Sequence, residues 1–239
     1  MEGIKFFDST LTLNRSHIES LCEEITKRRL NFPRECEIRV NTVDKDLLQI
    51  MRDTGCYYVD FGVESASHRV LKDMHKGIKI EQVENVFRWT RELDLKTKVF
   101  FTFGHIRETI EDAKITMGFI EKWKPFVTSQ GGGVGIKIYP GTLVEKYAYE
   151  IGWLDKDFSW AASYHDKKAE FFGGASHVPL LIQPQMGYDE LRKLRYAFIK
   201  KKLKDPIGVL KTIKEAWDKD NIRKIWTISK GVIQTKLKR

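Results

Sequence analysis

Gly55-Cys56-Tyr57-Tyr58-Val59-Asp60-Phe61-Gly62-Val63-Glu64-Ser65-Ala66-Ser67, followed by Val70-Leu71-Lys72-Asp73-Met74-His75-Lys76-Gly77, is the stretch on which the reading of this chain turns. Tyr57–Val63 is a short run rich in aromatic and β-branched residues, with Gly55 as the stop of the segment before it, and it reads as a strand. The strand is mostly apolar, yet it delivers a carboxylate, Glu64, at its end. A carboxylate placed there must be compensated by a hydrogen-bonding partner, and a bound ligand carrying hydroxyl groups would be one.

Working outward, runs of the same kind stand at Ile4–Phe7, Cys36–Asn41 and Thr97–Phe103, and a fifth at Val134–Ile138. The first four are each followed by apolar residues at helical spacing. Ile18, Leu21, Cys22 and Ile25 form one stripe, with the capping-box pair Ser16 and Glu19 setting a start near Ser16. A second helix begins at Asp44, turns Leu47, Leu48 and Met51 inward and ends at Gly55. Val83, Val86, Phe87 and Thr90 mark a third. Thr109 with Asp112 opens a fourth that uses Ile110, Ala113, Met117 and Ile120, and Leu143–Ile151 is a fifth that stops at Gly152.

Strands alternating with helices in this way argue for a parallel sheet with crossover helices, here a partial (β/α) TIM-type barrel of about five strands. The barrel is expected to fill residues 1–152. From 153 to 186 periodicity fades while aromatics and glycines accumulate, which suggests an irregular covering segment. Residues 187–239 read as a basic helical extension, interrupted near Asp205-Pro206.

The formal charge of +9 is concentrated in that extension. Residues 191–239 hold 16 Lys and Arg against 4 Asp and Glu, so the remainder of the chain is slightly acidic. Ile222, Ile225, Trp226, Ser229, Val232 and Ile233 share one helical face in the final stretch. An anionic membrane surface or an acidic partner is therefore one expectation for it, and packing against the barrel with solvated lysines is the other. Positive charge without an RNA- or DNA-reading motif speaks against nucleic acid. No apolar run has the length of a membrane span and no signal peptide is evident, so a cytoplasmic location is the default. Cys22, Cys36 and Cys56 are odd in number and widely spaced. They form neither a disulfide framework nor a metal knuckle, and are expected as small hydrophobes in different layers of the barrel.

In a parallel barrel the residues just past the strand ends converge on one mouth. Those positions hold Asp8, Glu64-Ser65, Gly104-His105, and Tyr139-Pro140-Gly141-Thr142, with Arg39 and Asn41 in the second strand. Here a family resemblance becomes specific. Residues 55–77 resemble the radical SAM pattern G-x-E-S-x-S…V-L-x-x-M-x-K-G. Phe103-Gly104-His105-Ile106-Arg107-Glu108-Thr109 is similar to its G-x-P-G-E-T turn, and Tyr139–Thr142 to its P-G-T turn.

The resemblance, which covers residues 4–154, implies six βα units with S-adenosylmethionine (SAM) lying across the strand ends. It implies Asp8 near the methionyl amino group, Glu64 and Ser65 near the ribose or carboxylate, Phe103, Gly104 and Tyr139 beside the adenine, and Arg39 and Asn41 in the floor. The region after Gly187 resembles the cobalamin-dependent and anaerobic cyclase-like branch. Glu108 has the spacing of a helix N-terminus, where a carboxylate is stabilised. His105 reads as a hydrogen-bonded turn residue before it reads as a catalyst.

Ile106 and Arg107 depart from the family's proline and glycine. There is no C-x-x-x-C-x-x-C, the loop from which the family's [4Fe–4S] cluster takes its thiolates. The expectation is therefore the SAM-binding part of an enzyme that generates a 5′-deoxyadenosyl radical, inactive by itself, whose cluster would be held only in an intact parent protein. The alternative is a non-catalytic barrel remnant serving as a binding or assembly module.

Overall fold

The computed structural model describes residues 3–8, 10–30, 32–166, 169, 171–172 and 177–203. The proposed amphipathic stretch around Ile222–Ile233 lies outside the described residues. The chain forms two compact units that divide between Gly132 and Gly133.

The first unit is built on a parallel sheet. Its strands β1 (Ile4–Phe6), β2 (Arg34–Glu37), β3 (Cys56–Glu64), β4 (Lys96–Phe103) and β5 (Ser129–Val134) lie side by side in sequence order. The crossovers are α1 (Arg15–Lys27), α2 (Lys45–Asp53), α3 and α4 (His68–Asp73, Ile80–Glu92) and α5 (Ile110–Trp123). This is the expected α/β class, a partial barrel.

The sheet has two unlike faces because side chains alternate along a strand. On one, Val59, Phe61 and Val63 of β3 and Val99, Phe101 and Phe103 of β4 are buried under helices. The Phe61 ring lies 5.8 Å from Phe87 of α4, and Phe101 lies 6.3 Å from Phe119 of α5. Trp123 closes the cluster 5.5 Å from Phe87. Each fully buried ring of this kind contributes about 1.5–3 kcal/mol of transfer free energy. The other face carries polar groups: Lys5 pairs with Glu35 at 2.6 Å and with Asp60 at 2.9 Å across β1, β2 and β3.

Several local expectations shift. Helix α1 starts one residue earlier than Ser16, because Asn14 is the cap and accepts the His17 N–H, while Ser16 donates to the same Asn14 oxygen. Asp44 caps α2 as expected. In α5 the buried stripe is Ala113, Thr116, Phe119, Ile120 and Trp123, which leaves Ile110 and Met117 only half-buried. The fifth strand is Ser129–Val134, not Val134–Ile138. Its glycines look unlike a strand in sequence, but Gly132 sits at φ +122° with its Cα against the Phe101 carbonyl, where a side chain would collide with backbone.

In the second unit, Lys137 bridges Leu180 in antiparallel sense, and the Ile138 N–H donates to the Pro179 carbonyl. The expected strand at 134–138 is thus paired with the covering segment. Trp153 Nε1 donates to the Leu180 carbonyl at 2.8 Å and ties that segment down. Helix α6 (Leu143–Glu150) is capped by Thr142, and α7 spans Tyr188–Leu203. No described helix is long and apolar enough to cross a membrane.

Candidate cofactor site at the strand ends

The end of β3 is shaped by an irregularity. Gly62 pairs with Phe100 but Glu64 with Phe101, so Val63 is an extra residue, and Glu64 takes the left-handed conformation at φ 68°. Bulges re-aim side chains next to functional sites. A non-glycine residue in this region is held there by its surroundings. The holding contacts are two. Lys76 Nζ lies 3.1 Å from Glu64 Oε1, and the Thr102 hydroxyl donates to Glu64 Oε2 at 2.8 Å. Gly62 makes the arrangement possible, since any β-carbon there would fall on Glu64 Oε1.

Lys76 is delivered by the loop between α3 and α4. Ser67 caps α3, and His75 and Gly77 turn the loop back with φ of 53° and 67°. Arg39 Nη2 donates to the Lys76 carbonyl at 2.6 Å and Asn41 Nδ2 to the Gly77 carbonyl at 3.2 Å. Arg39 and Asn41 therefore hold the loop that carries Lys76 over the end of β3. They stand just past β2, which stops at Glu37.

After β4, the Thr102 hydroxyl also lies 2.8 Å from His105 Nε2. Burial pushes the His105 imidazole down to about 4, so the ring is neutral at neutral pH. Glu108 shapes the turn. One of its oxygens accepts the N–H groups of Gly104 at 2.6 Å and of His105 at 2.9 Å, and burial raises its carboxyl to about 7 despite those donors. Thr109 caps α5 in a capping box with Asp112, the pair whose spacing marks the helix start, and Glu108 stands one residue ahead of that cap. For Asp112, burial works upward, but hydrogen bonds from Ser67, Thr109 and Arg69 outweigh it and hold the carboxyl at about 2.

The candidates thus divide. Glu64, Arg39, Asn41 and the Gly104-His105 turn join one network, through Lys76 and Thr102. Ser65 does not share it: its side chain is fully buried, 3.1 Å from the Thr116 hydroxyl of α5, and cannot touch a ligand without moving. Phe103 is likewise fully buried, on the strand face that packs under helices. Asp8 is exposed just past β1. Tyr139 belongs to the second unit, half-exposed, with its carbonyl accepting the Thr142 hydroxyl at 2.6 Å. Lys76 and Thr102 carried no role in the sequence reading. Thr102 could have been found from strand alternation, since it shares a face with Lys98 and Phe100.

The cysteines correct another expectation. Cys22 stands on a helix and Cys36 and Cys56 on strands, yet the layers do not keep them apart: all three line one small cavity between the sheet and α1 and α2, with Phe6, Leu11, Ile18 and Met51. The Cys36 and Cys56 sulfurs are 3.7 Å apart. Adjacent parallel strands bring Cys36 and Cys56 together, and the apolar stripe of α1 lowers Cys22 onto them.

These positions decide which groups the residues fit. Glu64 offers about four lone-pair sites, of which Lys76 and Thr102 take one each, so the carboxylate retains acceptors for a ligand's hydroxyl groups. Lys76 adds a cation beside it. Such a wall fits the nucleoside part of SAM. A [4Fe–4S] cluster is not fitted: Cys56 opens β3 whereas Glu64 ends it, roughly 25 Å away at a rise of ~3.3 Å per residue. Among the described residues no group of His, Cys, Asp or Glu could hold a metal ion.

The model of the Radical SAM superfamily matches residues 2–120. An uncharacterized methyltransferase of Pyrococcus horikoshii is 30% identical over 152 residues, which are 62% of this chain and 32% of that protein. The cytidylyl-2-hydroxyethylphosphonate methyltransferase of Streptomyces wedmorensis is 25% identical over 122 residues, 48% of this chain and 23% of that one. The chain therefore spans a third or less of the length of these relatives. Among solved structures, the radical SAM methyltransferase TsrM of Kitasatospora setae, with cobalamin and a [4Fe–4S] cluster bound, superposes with a TM-score of 0.53 at 22% identity, over 60% of this chain and 28% of that one. The coproporphyrinogen III oxidase of Escherichia coli, a radical SAM enzyme, gives 0.52 at 16% identity, over 84% of this chain and 40% of that one. With the strand order, the motifs at the strand ends and the family match in agreement, the chain belongs to the radical SAM superfamily.

Proposed function

We propose that this chain is the SAM-binding part of a radical SAM enzyme, with Glu64 as the acceptor for the ribose hydroxyl groups. The observation that carries the reading is the Glu64 carboxylate, aimed past the end of β3 by a bulge and steadied on both oxygens by Lys76 and Thr102. Lys76 offsets negative charge at the mouth, and Arg39 and Asn41 keep its loop in place. The Gly104-His105 turn, fixed from behind by Glu108, borders the same opening. In this superfamily SAM is the source of a 5′-deoxyadenosyl radical, which abstracts hydrogen from a substrate.

The chain alone does not perform that chemistry, because its thiols stand at the far end of the sheet from Glu64. The names of the relatives favour methyl transfer for a whole protein of which this chain would be one portion.

Isothermal titration of the full chain with SAM, beside the Glu64→Gln variant, tests the proposal. Replacing the carboxylate by an amide removes a charge-assisted acceptor, a loss of about 1.5–3 kcal/mol, or at least about tenfold in Kd. Equal affinity in the two proteins would overturn the assignment.

A further inference from the structure

We propose that His105, acting through Thr102, is a positioning residue for the Glu64 carboxylate. The inference rests on the reading of Glu64 as a ribose acceptor and adds a device that the reading does not require.

The argument is one of proton counting. The Thr102 hydroxyl has a single hydrogen and two partners, Glu64 Oε2 and His105 Nε2, each at 2.8 Å. A carboxylate only accepts, so the hydroxyl hydrogen points to Glu64. The hydroxyl oxygen must then accept from His105, and the imidazole carries its hydrogen on Nε2. The donors run one way, from His105 Nε2–H to the Thr102 oxygen and from the Thr102 O–H to Glu64 Oε2. In the opposite tautomer Thr102 would have to donate to the ring, and Glu64 Oε2 would lose its donor. His105 is itself fixed: it is buried, and its backbone N–H is bound by Glu108 at 2.9 Å.

A free threonine hydroxyl rotates among three staggered positions. With His105 occupying its acceptor side, only the rotamer aimed at Glu64 satisfies both bonds. The carboxylate plane is thereby held between Thr102 on one oxygen and Lys76 on the other before any ligand arrives. Such preorganisation improves affinity by removing an ordering cost. The expected effect is specific, because it reaches the ligand only through hydroxyl groups that Glu64 accepts.

Two measurements on the full chain test the proposal. The first is ¹⁵N–¹³C correlation NMR of the His105 ring at neutral pH, which should show a neutral imidazole protonated on Nε2; protonation on Nδ1 would overturn the relay whether or not SAM binds. The second is SAM titration of His105→Leu, His105→Gln, Glu64→Gln and the double variant Glu64→Gln with His105→Leu. Losing one neutral hydrogen bond predicts about a three- to tenfold weaker Kd for His105→Leu. The glutamine amide, which retains an N–H donor, should come within about twofold of the parent, and His105→Leu should add nothing once Glu64 is glutamine.

If Glu64→Gln weakens SAM but His105→Leu does not, or if leucine and glutamine weaken it equally, the relay is wrong and the Glu64 reading stands. If SAM affinity is indifferent to Glu64→Gln, the underlying reading falls, and the tautomer still decides the hydrogen-bond chain.

Discussion

Glu108 offers the sharpest link between burial and a measurable pH dependence. Its side chain is fully buried, one oxygen accepts the N–H groups of Gly104 and His105, and the other has no partner among the described residues. Burial disfavours the charged form and raises the carboxyl from 4.5 to about 7. Between about 4.5 and 7 the folded protein keeps a proton that the unfolded chain has released. Stability therefore falls as pH rises through this window, and the cost is complete above the folded value. Integrated from pH 5 to pH 8, the loss is about 2.5 kcal/mol at most.

Glu108→Gln should remove this dependence. The amide oxygen still accepts the two backbone N–H groups, and no charge needs burial at any pH. Urea unfolding of the parent and the variant at pH 5 and pH 8 measures the difference, in which other titrating groups cancel. Asp112 does not intrude, because its depressed carboxyl stabilises above about 3.8 and loses that contribution only as pH falls towards 2. The variant's advantage should be about 1–2.5 kcal/mol greater at pH 8 than at pH 5. An advantage equal at both, or larger at pH 5, would refute the argument and mean that the two N–H donors compensate the buried charge.

Gly62→Ala should leave the sheet folded yet weaken SAM binding about tenfold or more, since the new methyl group displaces the side-chain end of Glu64 and not backbone, and displacement forfeits the hydrogen bonds made there. Calorimetry with SAM checks the affinity and circular dichroism the fold; unchanged affinity would show that Glu64 is not where the ligand sits. Anaerobic reconstitution with iron and sulfide should yield no stoichiometric cluster, because Cys22, Cys36 and Cys56 surround a small cavity under α1 and α2. Stoichiometric iron with release of 5′-deoxyadenosine under a strong reductant would contradict it.

The sheet and its order were readable because each strand repeats a local pattern, a short apolar run followed by helical periodicity, and the parallel topology follows from that alternation. The clearest miss was β5. Its glycines are needed where Gly132 lies against the Phe101 backbone, a partner 31 positions away that no local propensity reports. The cap of α1 failed for a smaller reason: Asn14 and Ser16 both suit a cap, and the N–H that becomes available decides between them. The cysteines failed because their separation in sequence, 14 and 20 positions, says nothing about register. In the register that pairs Arg34 with Cys56 and Cys36 with Val59, the Cys36 and Cys56 sulfurs come within 3.7 Å.

The candidate site was legible in its positions and illegible in its partners, and Glu64-Ser65 shows why. Consecutive residues of a strand point to opposite faces, so a pair of neighbours cannot both reach the mouth while the chain stays extended. One had to turn towards the helices. Alternation says which, since Val59, Phe61 and Val63 face the helices and so put Glu64 on the opposite face and Ser65 back on theirs, but it does not say what either meets. With the bulge, Glu64 reaches Lys76 and Thr102, while Ser65 falls onto Thr116, 51 positions away on α5. A carboxylate buried on the helix side would have faced an aromatic layer with little to bind it. The serine loses nothing there, since a single threonine hydroxyl satisfies it.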